Sequence, residues 1–333
     1  YVFLHTIDID AFRERTTSSV TAVPAGPLLH QAESLGHQRR VIGMALAILT
    51  EYAVTGPIAV PPTFPLDIAD ALRAEGYDLR VTNPWCPERR TKTTTEIAYV
   101  RENCAVTANA FAQFANWLEA AEIRDDELWL EGEPLTSERA RRLLEIYFLK
   151  HDMSCPDGLI VSCGPHAAMP HHHGAGPLRA NETIIVDLFP QSRTNRHYAD
   201  MTRTFVTGAP SEYAQKMYDA VVATQRASLA ALTPGARCAD IYEISAQVIR
   251  EHGFDVGERG YIHSLGHGLG VGLHEEPALS PRSTDTLEVG DIYTIEPGLY
   301  YPEHGGVRLE DVVIITESGY ELLSSSERSW QIN

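Results

Sequence analysis

Cysteine is scarce in this chain. Five cysteines (Cys86, Cys104, Cys155, Cys163 and Cys238) are scattered over 333 residues, odd in number and without a CxxC pair. A disulfide framework is therefore not expected, and reduced thiols in a cytoplasm are. No apolar run approaches the ~20 residues that a membrane span needs. The opening stretch YVFLHTIDIDAFRER carries charge too early for a signal peptide. Basic residues are few: 27 Lys and Arg stand against 45 Asp and Glu, a formal charge of -18. That balance argues against nucleic acid and anionic membrane as partners. Low-complexity segments and short-period repeats are absent too. A length of 333 residues allows one large domain or two ordinary ones.

One stretch stands out against this background. Residues 263–276 read HSLGHGLGVGLHEE, with His263, His267 and His274 among Gly266, Gly268, Gly270 and Gly272. Each glycine inside a helix would cost about 1 kcal/mol. A two-histidine helical zinc motif also needs a Glu beside its first His. The segment is thus not a helix, and glycine suits backbone that must run close to something.

Around it, residues 1–90 read as a small α/β unit, with HQRRVIGMALAIL helical, IAVPP extended and LDIADALRAEGYDLRV helix, Gly turn and strand. The stretch NPWCPERRTKTTTE (83–96) reads as a linker or boundary, leaving 91–333 as a second domain. A long helical pattern covers 95–121, and SERARRLLEIYFLK is another helix. DGLIVSCG, ETIIVDLFP and YADMTRTFVTG are strand-like. Two helices follow, SEYAQKMYDAVVATQRASLAAL and ADIYEISAQVIREHG. The strand-like runs DIYTIEPGLYY and GGVRLEDVVIIT complete the pattern. Trp85 and Tyr301 are expected in the core.

Four acidic residues lie inside apolar strand patterns: Asp187 in IIVDLF, Asp200 in YADMTRTF, Glu296 in YTIEPG and Glu310 in VRLEDVVII. A carboxylate buried in a strand costs several kcal/mol unless it is paired or bound to metal. Any one alone reads as an outward-facing residue, but four such cases favour a common cause. Asp187 and Asp200 flank one hairpin loop, and Glu296 and Glu310 flank another, so the four are expected to converge. Two divalent cations would balance four carboxylates. An oxygen-rich set with one imidazole suits Mn²⁺ better than a thiolate-type zinc site. The glycine-rich segment is then expected to bring His267 to the metals, its backbone close to a ligand.

These residues resemble a known family. DLF…ADMTRTF, HSLGHGLG, LHEE, IEPGLYY and GGVRLEDVV, in that order over roughly 95–325, are similar to the M24 "pita-bread" metallopeptidases, and most to the proline-specific branch, prolidase and aminopeptidase P. The resemblance implies an α+β pita-bread (creatinase/aminopeptidase) catalytic domain behind a small N-terminal α/β domain of creatinase type. It implies two divalent ions, Mn first with Zn or Co as alternatives, on Asp187, Asp200, His267, Glu296 and Glu310. Asp187 would be bidentate, Asp200 and Glu310 would bridge, and a hydroxide between the ions would attack the peptide bond. Glu296 would also shuttle the proton. His274 would meet substrate and the developing oxyanion, and His171 would help place the substrate. His263 would support, and Arg308 would orient the acidic ligands. His172 and His173 are expected to be merely exposed. The implied partners are an Xaa-Pro dipeptide or short peptide and a second copy in a homodimer.

This sequence departs from the family pattern in two places. Asp187 and Asp200 stand 13 residues apart, two more than usual, which enlarges the loop QSRTNRH. The N-terminal unit is shorter than a full creatinase-type domain. The implied reaction is hydrolysis of the bond before proline, dipeptides first, with aminopeptidase P as the alternative. A dipeptidase must cap the proline carboxylate with a cation. Arg193 and Arg196 lie in the enlarged loop but read as exposed solubilising charge. Methionine aminopeptidase is less favoured because of the added domain, creatinase because of the acidic ligands. A non-catalytic peptide-binding module is disfavoured by the complete ligand set.

Overall fold

Burial on both faces sets the character of the central strands. In Met201–Thr207 every residue is buried, and so is every residue of Ile184–Leu188. β-branched and aromatic side chains suit that position. The computed structural model describes residues 1–4, 6–15, 20–36, 39–324 and 330–332. Its chain forms two compact units, Tyr1–Pro87 and Glu88–Asn333.

The first unit holds two parallel strand pairs, Val2–Leu4 with Ala22–Pro24 and Ile58–Val60 with Leu79–Val81. The helices Arg40–Glu51 and Leu66–Ala74 lie where the helical patterns predict them. They pack Ile42, Leu46, Ile68 and Leu72 against Val60 and Leu79. Trp85, expected in the core, is instead exposed.

Among the described residues the second unit has two large sheets beside three small ones. The first orders its strands Gln331–Ile332, Met201–Thr207, Ile184–Leu188 and Ile160–Cys163. Helices Thr94–Glu119 and Ser137–Lys150 supply Phe111, Phe114, Leu144 and Phe148 to its core. The second orders Glu275–Leu279, Gly266–Gly268, Ile292–Ile295, Asp311–Thr316 and Gly319–Leu322. Helices Glu212–Ala230 and Cys238–Glu251 supply Met217, Val221, Ile241 and Ile249 to that core, which also holds Tyr301.

The stretch 83–96 is more than a linker. Thr93 caps the long helix, its hydroxyl accepting from the Glu96 amide while the Glu96 carboxylate accepts from the Thr93 amide. Such a reciprocal box satisfies two otherwise orphaned donors. Lys92 is buried and binds Glu275 at 2.9 Å.

The runs DIYTIEPGLYY and GGVRLEDVVIIT are each split where the carboxylate stands. Ile292–Ile295 pairs with Asp311–Thr316. Between them Gly298–Tyr301 and Gly305–Arg308 form a separate hairpin. Glu296 and Glu310 thus sit at the junction of two sheets. The glycines of the histidine segment do bring backbone close, but to the protein itself. A Cβ on Gly266 would lie 1.9 Å from the Thr294 carbonyl oxygen, and one on Gly270 would lie 2.8 Å from the Glu275 carboxylate. Gly266→Ala should therefore destabilise the fold by about 3 kcal/mol, since neighbouring strands must separate. Denaturant unfolding measures this, and a loss below about 1 kcal/mol would contradict the packing.

Candidate metal centre

Strand alternation aims Asp187. Ile184, Val186 and Leu188 point into the first core, while Ile185 packs on the opposite face with Ile160, Phe189 and Tyr300. Asp187 shares that second face by the period of two. Thr202 lies opposite Asp187 across the strand pair. Its hydroxyl donates to Glu310 Oε2 at 2.8 Å and accepts from Arg308 Nε at 3.2 Å. The Glu310 amide donates to the Thr202 carbonyl at 3.0 Å, and the Arg308 amide to Thr204 Oγ1 at 3.0 Å. These bonds join strand Met201–Thr207 to Arg308 and Glu310 and bring the acidic residues together.

Among the described residues Arg308 is the one buried cation on the wall of the cavity that the carboxylates line. It donates from Nη2 to Asp187 Oδ2 at 2.7 Å and from Nη1 to the Tyr300 hydroxyl at 2.8 Å. Tyr300 OH lies 2.9 Å from His263 Nε2, and His263 Nδ1 lies 2.7 Å from the Ser264 carbonyl. A carbonyl only accepts, so Nδ1 carries the proton and Nε2 takes the Tyr300 hydrogen. Both nitrogens of His263 are thereby committed.

The same logic fixes His267. Its Nδ1 donates to the Gly268 carbonyl at 2.9 Å, leaving an Nε2 lone pair 3.5 Å from Asp200 Oδ2 and 3.5 Å from Glu296 Oε1. Burial pushes His267 down to about 4, so at neutral pH its Nε2 is an unprotonated lone pair. Asp200, His267 and Glu310 each offer one ligand atom, all within 4.8 Å of one another. Asp187 Oδ1 is buried without a hydrogen-bond partner. Converging ligand atoms and an unpartnered buried carboxylate oxygen fit a cation site, and an oxygen-rich set with one imidazole fits divalent ions.

Asp187, Asp200, His267, Glu296 and Glu310 all line one cavity of about 680 Å³, and His171, His263, His274 and Arg308 line it too. The His274 ring centre is 4.2 Å from that of His267. His171 is exposed to the cavity. Of the other two histidines of the MPHHH run, His173 is exposed as expected and His172 is not. His172 is half-buried and stacks on His166 at 4.1 Å, and His173 lines the cavity with Nδ1 2.8 Å from the Leu159 carbonyl. Arg193 and Arg196 are exposed, while the rest of their loop is anchored: Asn103 Nδ2 donates to the His197 carbonyl at 2.9 Å.

Beneath the cluster lies a buried pair that sequence reasoning missed. Arg203 Nη2 binds Asp311 Oδ1 at 2.7 Å, and Asp311 also accepts from Gln225 and Ser324. Arg203 further donates to the carbonyls of Thr202 and Glu310. The signal was present, since Arg203 and Asp311 are charges inside the same apolar runs that exposed Asp200 and Glu310.

Glu275, next to His274, is held by Lys92, by Arg89 and by the Gly272 amide at 2.9 Å. The Lys92 side chain is 3% exposed. Lys92→Met leaves a mostly buried carboxylate short of its main partner and should cost about 3 kcal/mol. Thermal unfolding checks this, and an unchanged melting temperature would show that Arg89 suffices.

Charge crowding also sets a pH dependence. Burial and then neighbouring carboxylates push Asp200 and Glu310 well above the usual carboxylate range. Burial pushes Glu296 up to about 8, against the pull of Arg308. Groups raised in the folded state stabilise it below their ordinary range and lose that contribution as pH rises. His263 and His267, both lowered to about 4, act oppositely, but only below their ordinary 6.5. From pH 6.5 to about 8 the carboxylates therefore act alone. Chelator-treated protein should lose melting temperature across that window, and added divalent ion should restore more at the upper end than the lower. A flat or rising profile for the chelated protein contradicts the crowding.

Comparison with known proteins bears on this site. Over 170 residues the chain is 36% identical to an "Xaa-Pro dipeptidase" of Pyrococcus furiosus, covering 51% of this chain and 47% of that protein. It is 40% identical over 171 residues to an uncharacterized peptidase of Staphylococcus aureus, with the same coverage. The matches thus span about half the length of these curated relatives. Among solved structures, a prolidase from Pyrococcus furiosus superposes with a TM-score of 0.80 at 24% identity, covering 98% of this chain and 87% of its own. An Xaa-Pro dipeptidase from Bacillus anthracis gives 0.82 at 22%, covering 99% and 86%. At such identities the likeness establishes the fold, and the expected α+β pita-bread architecture is the one observed. The pattern of metallopeptidase family M24 matches residues 98–317, well over half of the 333, and the chain belongs to that family.

Proposed function

We propose that this chain is a dinuclear-metal peptidase that hydrolyses the Xaa-Pro bond, dipeptides first. The observation that carries the reading is the convergence of four carboxylates and the free Nε2 of His267 on one cavity. The similarity to an Xaa-Pro dipeptidase supports the substrate class. Two divalent ions held by Asp187, Asp200, His267, Glu296 and Glu310 would supply Lewis acidity and a water of lowered pKa. The oxygen-rich donor set favours manganese. The Tyr1–Pro87 unit is read as a shortened form of the family's N-terminal domain.

The chain's own residues do the rest. Glu296 is the ligand most open to the cavity, its side chain 17% exposed against 6% for Asp200. It takes the proton of the attacking water and passes it to the leaving proline nitrogen. His274, beside His267, donates to the oxyanion as it develops. His171 helps place the substrate from the cavity wall. Arg308 holds Asp187 in orientation, while His263, with both nitrogens spent, supports Tyr300 and so Arg308.

One observation favours the aminopeptidase reading. Among the described residues Arg308 is the only Lys or Arg on the cavity wall, and it is already bound to Asp187, Tyr300 and Thr202. No free guanidinium stands ready to cap a proline carboxylate there. Proline release from Ala-Pro set beside cleavage of Ala-Pro-Ala separates the two readings. Glu310→Ala should lose both bound metal and more than about a thousandfold in kcat/KM. Retention of two ions with full turnover by that variant would sink the assignment.

A further inference from the structure

The cavity wall is asymmetric in charge even without its proposed metal ligands. Its apolar members include Ile160, Phe189 and Leu273, and its remaining acids are Asp157, Glu275 and Glu276. Glu275 is neutralised by Lys92 and Arg89, and Glu276 is exposed. Asp157 differs from both. It is open to the cavity, yet its orientation is fixed from behind by a buried tyrosine.

That tyrosine is Tyr198, buried with its ring in the first core. Its amide donates to the Gly270 carbonyl at 2.8 Å, and its hydroxyl donates to Asp157 Oδ2 at 2.7 Å. The second carboxylate oxygen has no protein partner among the described residues. A carboxylate pinned by one oxygen and offering the other is set to receive a donor. No ion pair to Asp157 occurs among the described residues, so its charge is directed at what enters the cavity.

The position of Asp157 relative to the chemistry follows from the strand. Ile160, three residues on, lies opposite Asp187 in the sheet, which puts the two Cα atoms of Asp157 and Ile160 within about 10 Å. The charge of Asp157 is felt at His274, which lines the same cavity. Asp157 and the metal cluster line one cavity, so a residue bound with its carbonyl at the cluster can present its side chain to Asp157. A long side chain that ends in a donor and a positive charge is lysine or arginine, whose methylenes would cross the apolar wall on the way.

Resting on the Xaa-Pro reading above, we propose that Asp157 selects substrates with lysine or arginine before the proline. A partly open cavity screens charge, so the effect is set at about tenfold, equivalent to about 1.4 kcal/mol.

The test compares Lys-Pro with norleucine-Pro, which matches its chain length without the charge. In Mn²⁺-loaded wild-type protein kcat/KM should favour Lys-Pro about tenfold, and salt should erode the preference. In Asp157→Asn the ratio should fall to within about twofold of one, because Asn still accepts from Tyr198 but carries no charge. Calorimetric titration of metal-free protein should give the same order of affinities. Equal turnover of both dipeptides by wild type, or a preference that survives Asp157→Asn, overturns the proposal. An equal loss for both dipeptides in the variant also overturns it, assigning Asp157 to the α-ammonium they share. If neither is cleaved, the Xaa-Pro reading fails, and the affinity order in metal-free protein still decides the role of Asp157.

Discussion

Mutual repulsion among buried carboxylates is the constraint on which the second unit is organised. Asp187, Asp200, Glu296 and Glu310 come from two sheets and meet at one cavity. Left to themselves they would drive the sheets apart or stay protonated. Arg308 offsets part of that charge from Asp187, and Thr202 ties Glu310 to Arg308. A folded chain that keeps such a cluster is built around a cation it expects to hold.

The surrounding fold serves that junction. Each sheet has its own pair of helices, and the apolar clusters run across the boundary between the sheets: Ile292, Val312 and Ile314 join the first core and Val206 the second. At the ligand cluster the contact is polar: Thr202, Thr204, Arg308 and Glu310 exchange backbone and side-chain bonds. Arg203 and Asp311 repeat the theme one layer down, fixing the two strands from which the ligands project. Such a buried polar network specifies one arrangement of the sheets when its members are satisfied.

Much of this was legible in the sequence, and for physical reasons. Helices Ser137–Lys150 and Arg40–Glu51 follow their apolar periodicity, and the central strands follow their β-branched runs. Glu296 and Glu310 drew attention because charge in an apolar run needs an explanation. What escaped was tertiary. Pro297 and Gly298 mark a break after Glu296, but nothing local says that a second hairpin is inserted there. Lys92 sits in a Thr-rich polar stretch that reads as linker, and only its partner Glu275, far along the chain, makes it structural. Asp157 stands in a Pro-Asp-Gly turn that punctuates many loops, and only Tyr198 distinguishes it. The small sheet of Glu122–Arg124, Glu127–Leu130 and Glu133–Pro134 was also missed. Its turn places Asp125 and Asp126 at φ of 49° and 64°, which an Asp-Asp pair signals weakly.

The central claim is that five side chains from two sheets hold a pair of divalent ions. Anomalous diffraction from crystals grown with Mn²⁺, recorded at the manganese edge, tests it most directly. The account predicts two peaks among Asp187, Asp200, His267, Glu296 and Glu310. Their absence, or a single peak away from these residues, would contradict it.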